Sequence, residues 1–279
     1  MSLHQADRTF RSVSRDETLT IAERPDHPLR EGNREAEGEE RVSFDAAENF
    51  AGWRGGTSFL QSLIGKYGCK RILEIGSGAN PTLEPKLVSE LGVSYVTSDL
   101  SCEEMEKADP AFERLVLDMS AEEIRPDLIG QFDLIFSRMV AEHVSDGERY
   151  HRNIHSLLKE GGISAHCFST LWSLPFVANW MLPEFVTARL LKKFAPRDEH
   201  RQAKFPARYS WSRGPSPRMM RRFEALGFEV VRYTGYFGHS YYRRLSELVQ
   251  RAETLKQSLL LRWPCAAFCS YATIVLRKR

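Results

Sequence analysis

Between residues 71 and 169, short apolar runs alternate with polar stretches of helical pattern. The runs are RILEIG (71–76), SYVTSDL (94–100), RLVLDM (114–119), FDLIFSRM (132–139) and ISAHCFS (163–169). Strands that alternate with helices imply a parallel sheet covered on both faces, and strands buried on both faces read as continuous apolar runs. The intervening segments support this reading. PTLEPKLVSELG (81–92) predicts a helix closed by Gly92, and DGERYHRNIHSLLKEGG (146–162) predicts one stopped by Gly161 and Gly162. Further on, FEVVRYTGYF (228–237) and FCSYATIVLRK (268–278) add a sixth and a seventh strand. PRMMRRFEALG (217–227) and Ser240 to Trp263 read as helices. The fold class expected is therefore α/β, a sheet with helices on both faces.

The flanks are organised differently. Residues 1–42 are polar and charged, with the acidic run EGNREAEGEE, and read as a disordered arm. Residues 43–279 form the expected domain. Phe44 to Tyr67 carries Phe50, Trp53, Phe59, Leu60, Leu63 and Ile64 at near-helical spacing, which predicts two helices broken at Gly55 and Gly56. The stretch 170–215 interrupts the alternation and reads as a lid between strands five and six. It is apolar first (LWSLPFVANWMLPEFV), which suits core packing, an acceptor pocket or contact with a membrane surface through 171–194. It then becomes rich in Arg, Lys, Tyr and Trp.

At the end of the first run stands Glu74-Ile-Gly76-Ser77-Gly78-Ala-Asn80-Pro81. Glycines at a strand-to-helix turn permit tight geometry and close approach of a ligand to the backbone. A dinucleotide fingerprint needs a third glycine where Pro81 stands, and Glu74 would repel a pyrophosphate. The same carboxylate suits the ammonium group of a methionine, so the loop fits a cationic sulfonium nucleoside. Asp99 ends the second strand about 21 residues beyond Gly78, the position from which a carboxylate accepts ribose hydroxyls. Asp118 and Met119 end the third strand, where a carboxylate and an apolar side chain suit an adenine.

With LEIGSGANP, TSDLS, LVLDMS, FDLIFSRMVAEHV and LLKEGG in this order, the chain resembles the class I S-adenosylmethionine-dependent methyltransferase family, with a type 11-like domain. The resemblance covers residues 70–169 and extends to the last two strands. It implies a Rossmann-like, mostly parallel seven-stranded sheet with the last strand antiparallel, S-adenosyl-L-methionine as cofactor and S-adenosyl-L-homocysteine as product. Glu74, Gly76, Ser77, Gly78 and Asn80 would line the methionine end, although many members carry a glycine where Asn80 stands. Asp99 and Leu100 would meet the ribose, Asp118 and Met119 the adenine, and Ser137, Arg138 and the residues up to His143 would border the reacting methyl.

An oxygen acceptor must lose a proton, and histidine is the side chain that changes charge near neutrality. His143 is the expected base, with Glu142 and His239 as further catalytic candidates. Trp53, Arg208, Tyr209, Trp211 and Tyr241 are the acceptor-side candidates. The acceptor classes consistent with this are a small molecule, a glycan or a lipid-linked molecule. The alternatives are an NAD-type oxidoreductase, or a non-catalytic nucleoside-binding protein of the same fold. Net charge is only +2 in 279 residues, against the basic excess of a nucleic-acid binder. Cys69, Cys102, Cys167, Cys265 and Cys269 form no CxxC pair, so no metal site is expected. Free thiols, no secretory leader and no spanning run of about 18 apolar residues lead to the expectation of a cytoplasmic protein.

Overall fold

The computed structural model describes residues 41–171, 206–239 and 247–279. They form eight strands in one sheet, and the chain from Glu40 to Arg279 is one compact unit. In chain order the elements are β1 (Val42–Ala46), α1 (Gly56–Tyr67), β2 (Arg71–Ile75), α2 (Pro85–Leu91), β3 (Ser94–Asp99), α3 (Cys102–Lys107), β4 (Glu113–Val116) and β5 (Phe132–Arg138). There follow α4 (Gly147–Leu157), β6 (Leu158–Ser169), α5 (Pro217–Ala225), β7 (Phe228–Phe237), α6 (Glu247–Arg262) and β8 (Tyr271–Lys278). The spatial order is β1-β7-β8-β6-β5-β2-β3-β4. Every pair is parallel except those of β8, which runs antiparallel to β6 and β7. The C-terminal ends of β1 to β7 therefore share one rim with the start of β8.

Side-chain alternation along the strands divides the core between the two faces. Leu73 and Ile75 of β2, Val96 of β3 and Ile135 of β5 pack with Tyr150, Ile154 and Leu157 of α4 and with Met219 and Phe223 of α5. Ile72, Tyr95, Leu134 and Phe136 face the other way, onto Leu60, Leu63 and Ile64 of α1. Each such fully buried aliphatic side chain is worth about 1.5–3 kcal/mol.

Four sequence expectations need correction. The sheet has eight strands rather than seven, because Val42–Ala46 pairs with Tyr233–Phe237. The first of the two helices expected between Phe44 and Tyr67 is absent, and strand β1 and one 3-10 turn stand in its place. α2 starts at Pro85 rather than Pro81, since the Thr82 N–H and hydroxyl are both committed to Glu74. α4 ends at Leu157, not at Gly161–Gly162. Leu158 is fully buried and pairs with Phe132, and the residues before Ile163 form an irregularity in which Gly161 takes φ +74°. The break at Gly55 holds, with φ +73° before α1. The arm up to Glu40, the lid from 172 to 205, the membrane-contact stretch after Leu171, and Tyr241 lie outside the described residues. No described helix is long and apolar enough to cross a membrane.

Candidate functional site at the C-terminal rim of the sheet

After β2 the chain turns through Gly76 (φ +67°) and Gly78 (φ +50°). A Cβ on Gly76 would stand 2.4 Å from Val140 Cγ2, so only glycine fits there. Ser77 N–H donates to the Ser98 carbonyl, and Asn80 N–H closes a turn on Ser77. The Glu74 carboxylate is buried below this loop. It accepts the Thr82 N–H at 2.9 Å, the Thr82 hydroxyl at 2.6 Å and the Tyr95 hydroxyl. Burial raises its pKa, while these bonds and the Arg138 charge pull it down. Both oxygens of Glu74 are engaged, so it ties the loop to β3 from beneath. Thr82 and Tyr95 were not foreseen from sequence. The signal was register: Glu74 pairs with Thr97, which makes Tyr95 a diagonal cross-strand neighbour.

Asp99 stands at the end of β3. Its Oδ1 accepts the Ser101 N–H at 3.0 Å, and its Oδ2 lies 3.5 Å from where a Gly78 Cβ would be. Leu100 beside it is 67% exposed. Asp118 Oδ1 accepts the Ser120 N–H and hydroxyl at 2.8 and 2.7 Å. Among the described residues nothing donates to Oδ2 of Asp99 or of Asp118. Met119 is buried in the core with Leu115 and Leu117. Its carbonyl and that of Ala121 both receive Asn153 Nδ2 at 3.0 Å, a clamp from α4 that was also not foreseen.

The end of β5 is built from buried side chains. Ser137 Oγ lies 2.7 Å from His166 Nδ1 and accepts the Tyr150 hydroxyl at 3.2 Å, and His166 Nε2 lies 2.5 Å from Ser164 Oγ. Burial pushes His166 down to about 3, and it lowers His151 as well. Arg138 turns toward α1, its Nη1 3.8 Å from where a Gly56 Cβ would be. Met139 then adopts φ +58°, unusual for a side-chain-bearing residue, with its N–H on the Cys167 carbonyl at 2.7 Å. This bend seats Val140 against Gly76.

Next comes the turn Ala141–His143. Glu142 is buried, and its Oε1 accepts the Ser169 N–H at 3.3 Å and hydroxyl at 3.0 Å. Its carbonyl receives the N–H groups of Arg208 at 2.7 Å and Tyr209 at 2.9 Å. Glu142 thus pins the returning segment 206–213 to β6. Tyr209 is buried with φ +51°, and Arg208 is exposed. Trp211 packs among His151, Phe223 and Arg222, and its Cβ would touch any side chain at Gly147. It is a packing residue at the core's margin rather than an open face. His143 Nδ1 lies 3.3 Å from the Pro206 carbonyl. A carbonyl only accepts, so this contact places the proton on Nδ1.

A separate aromatic group closes the β7–β8 end. Trp53 is 51% exposed and meets Tyr271 edge-on at 5.9 Å, and the Tyr271 hydroxyl lies 3.1 Å from His239 Nε2. His239 is buried and pushed down to about 4 by burial and by the Lys256 charge. So Glu142, His143, Arg208 and Tyr209 come together at one place, and His239 and Trp53 at another.

A family profile described as "Methyltransferase domain" matches residues 58–233, more than half of the chain. The chain belongs to the methyltransferase domain family. No curated protein matches it. Among solved structures, an S-adenosylmethionine-dependent methyltransferase from Mesorhizobium loti is 16% identical, with 83% of this chain and 99% of that one covered at a TM-score of 0.47. One from Archaeoglobus fulgidus is 16% identical, covering 80% and 93%, at 0.47. Phosphoethanolamine N-methyltransferase 2 from Haemonchus contortus, in complex with S-adenosyl-L-methionine, is 14% identical, covering 79% and 52%, at 0.48.

The cofactor implied by the sequence resemblance is S-adenosyl-L-methionine. The residues at the β2, β3 and β4 ends fit it. Two left-handed glycines keep the loop backbone bare, and Asp99 and Asp118 each leave one carboxylate oxygen open for hydroxyl or amine donors. Exposed Leu100 offers an apolar surface beside Asp99.

Proposed function

We propose that this methyltransferase transfers the methyl group of S-adenosyl-L-methionine to an oxygen of a small-molecule, glycan or lipid-linked acceptor, with His143 receiving the acceptor proton. When bound, the cofactor supplies an electrophilic methyl on a sulfonium. The protein's part is alignment of the attacking oxygen, exclusion of water and removal of one proton. In this reading Gly76, Ser77, Gly78 and Asn80 carry the methionine end, Asp99 the ribose and Asp118 the adenine. Glu74 orders the loop that does so.

The observation that carries the proton-transfer reading is the contact of His143 Nδ1 with the Pro206 carbonyl. A neutral imidazole bonded in this way carries its proton on Nδ1, the tautomer in which Nε2 is the basic nitrogen. His143 also stands three residues after Val140, in the turn that follows the bend abutting the cofactor loop. Residues 170–215 are read as the acceptor lid. Support comes from their described end, where 206–213 is anchored on Glu142 and on Gly147 through Ser210. The domain is read as 43–279 with 1–42 as an arm, and the five free thiols support a cytoplasmic setting.

The test is a transfer assay with methyl-labelled cofactor against fractionated small molecules and glycolipids. In it His143→Ala is expected to lower turnover about 100-fold or more while S-adenosyl-L-homocysteine affinity stays at the wild-type value. Unchanged turnover removes His143 from the chemistry. An N-methylated product removes oxygen as the target.

A further inference from the structure

Helix α6 is inside out. Its inward face carries half-buried Leu260 but is otherwise polar: Glu253 is 7% exposed and lies 2.6 Å from Lys256 Nζ, and Gln257 donates to Glu48 and abuts Gly238. Among its side chains only Glu253 is buried. Its outward face carries Leu255 (62% exposed), Leu259 (48%) and, just after the helix, Trp263 (64%), with Phe268 (55%) beyond. Those three recur every fourth residue, so they form one stripe along the helix. Single exposed leucines are ordinary, whereas a continuous apolar stripe is a binding surface.

Charge decides what covers it. At 100° per residue, Arg251 and Arg262 fall together on one flank of the stripe and Lys256 on the other. The helix's acids are Glu247 at its start and the buried, paired Glu253. A second copy of the chain is a poor occupant. In a two-fold pair, antiparallel helices set the Arg251 and Arg262 flank against itself, and parallel helices set it against Lys256, whose charge Glu253 already pairs. An anionic bilayer reverses the sign. Leucine and tryptophan enter the headgroup–acyl boundary, and arginine and lysine reach the lipid phosphates.

We propose that the outward face of α6, from Arg251 to Trp263, docks this protein on an anionic lipid surface. Gln257 touches Glu48 and Gly238 at the rim end of the sheet, so the docked helix borders the rim that carries the site. The proposal is independent of the acceptor and holds for soluble and lipid-linked acceptors alike.

The test is co-sedimentation of the full-length protein with vesicles of phosphatidylcholine alone and of phosphatidylcholine with phosphatidylglycerol. Binding is expected to the anionic vesicles and to fall as salt is raised. It should drop at least about tenfold in Leu255→Ser/Leu259→Ser/Trp263→Ser, and by a similar factor in Arg251→Glu/Arg262→Glu. Circular dichroism of both variants should match the wild type, since these side chains are exposed. On anionic vesicles, the tryptophan emission should shift blue in the wild type and less in Trp263→Phe. Absence of vesicle binding, or equal binding to neutral vesicles, overturns the proposal. So does a wild-type dimer in sedimentation velocity that the triple variant abolishes, which would assign the stripe to a second copy.

Discussion

At the ends of β2, β3 and β4 the rim is made of backbone and of carboxylates with an oxygen to spare. Gly76 and Gly78 hold left-handed turns, and Oδ2 of Asp99 and of Asp118 receives no donor among the described residues. At the ends of β5 and β6 the polar groups are buried and bonded to one another. Ser137, Tyr150, His166 and Ser164 form one chain, and Glu142, Ser169 and the backbone of Arg208 and Tyr209 form another. The first half presents hydrogen-bonding capacity to a ligand. The second spends it on holding a returning segment in place, and leaves His143 near its surface. A nucleoside recognised by hydrogen bonds requires the first construction. A reaction that depends on orientation requires the second, because a misplacement of about 1 Å can cost 100-fold in rate.

If this division is right, the two halves respond differently to substitution. The largest effect is expected for Gly76→Ala. A left-handed alanine costs about 1–3 kcal/mol and the overlap with Val140 a similar amount. Thermal unfolding should show that loss, and S-adenosyl-L-homocysteine binding should vanish from calorimetry. Retention of binding would mean that the loop can re-form without the Gly76–Val140 contact.

Asp99→Ala should act on affinity alone. Loss of charged hydrogen bonds worth about 1.5–3 kcal/mol weakens S-adenosyl-L-homocysteine about 10- to 100-fold, with a melting temperature close to wild type. His143→Ala, by contrast, should leave that affinity intact and lower turnover. If Asp99→Ala changed turnover at saturating cofactor as strongly as affinity, the separation into a binding half and an orienting half would fail.

The smallest effect sharpens the buried half. Burial raises the Glu142 carboxyl above its ordinary 4.5, against the pull of the His143 charge and of the Ser169 bonds. The folded state then binds that proton more tightly than the unfolded chain does. Its contribution to stability is full below about pH 4.5 and is lost as pH rises through the folded value. Glu142→Gln keeps an acceptor for Ser169 and removes the titration. The melting-temperature advantage of this variant over wild type should therefore grow as pH is raised from 4.5. A constant gap would give Glu142 the pKa of an unfolded carboxylate, and a shrinking gap would put it below that value.

The same contrast explains what could be read from the chain. β2 and β5 were legible because strands buried on both faces are largely apolar, and β3 and β7, which carry Thr97, Glu229 and Arg232, were legible from their place between helical segments. The glycines and strand-end carboxylates were legible because their chemistry is local. β1 was not, because an edge strand of five half-buried residues carries no such run, and Phe50 and Trp53 just after it fall at helical spacing by coincidence. The bonds of Glu74 to Thr82 and Tyr95, and the Asn153 clamp, depend on register and on tertiary packing that no local pattern encodes. Ser137 and Trp211 look like rim residues in sequence, yet one is fully buried and the other packs against α4 and α5.

Calorimetric titration of S-adenosyl-L-homocysteine into the full-length protein tests the central claim most directly. The account predicts one site per chain in the wild type, weakened about 10- to 100-fold by Asp99→Ala and unmoved by His143→Ala. Absence of binding in the wild type, or an affinity indifferent to Asp99, would contradict it.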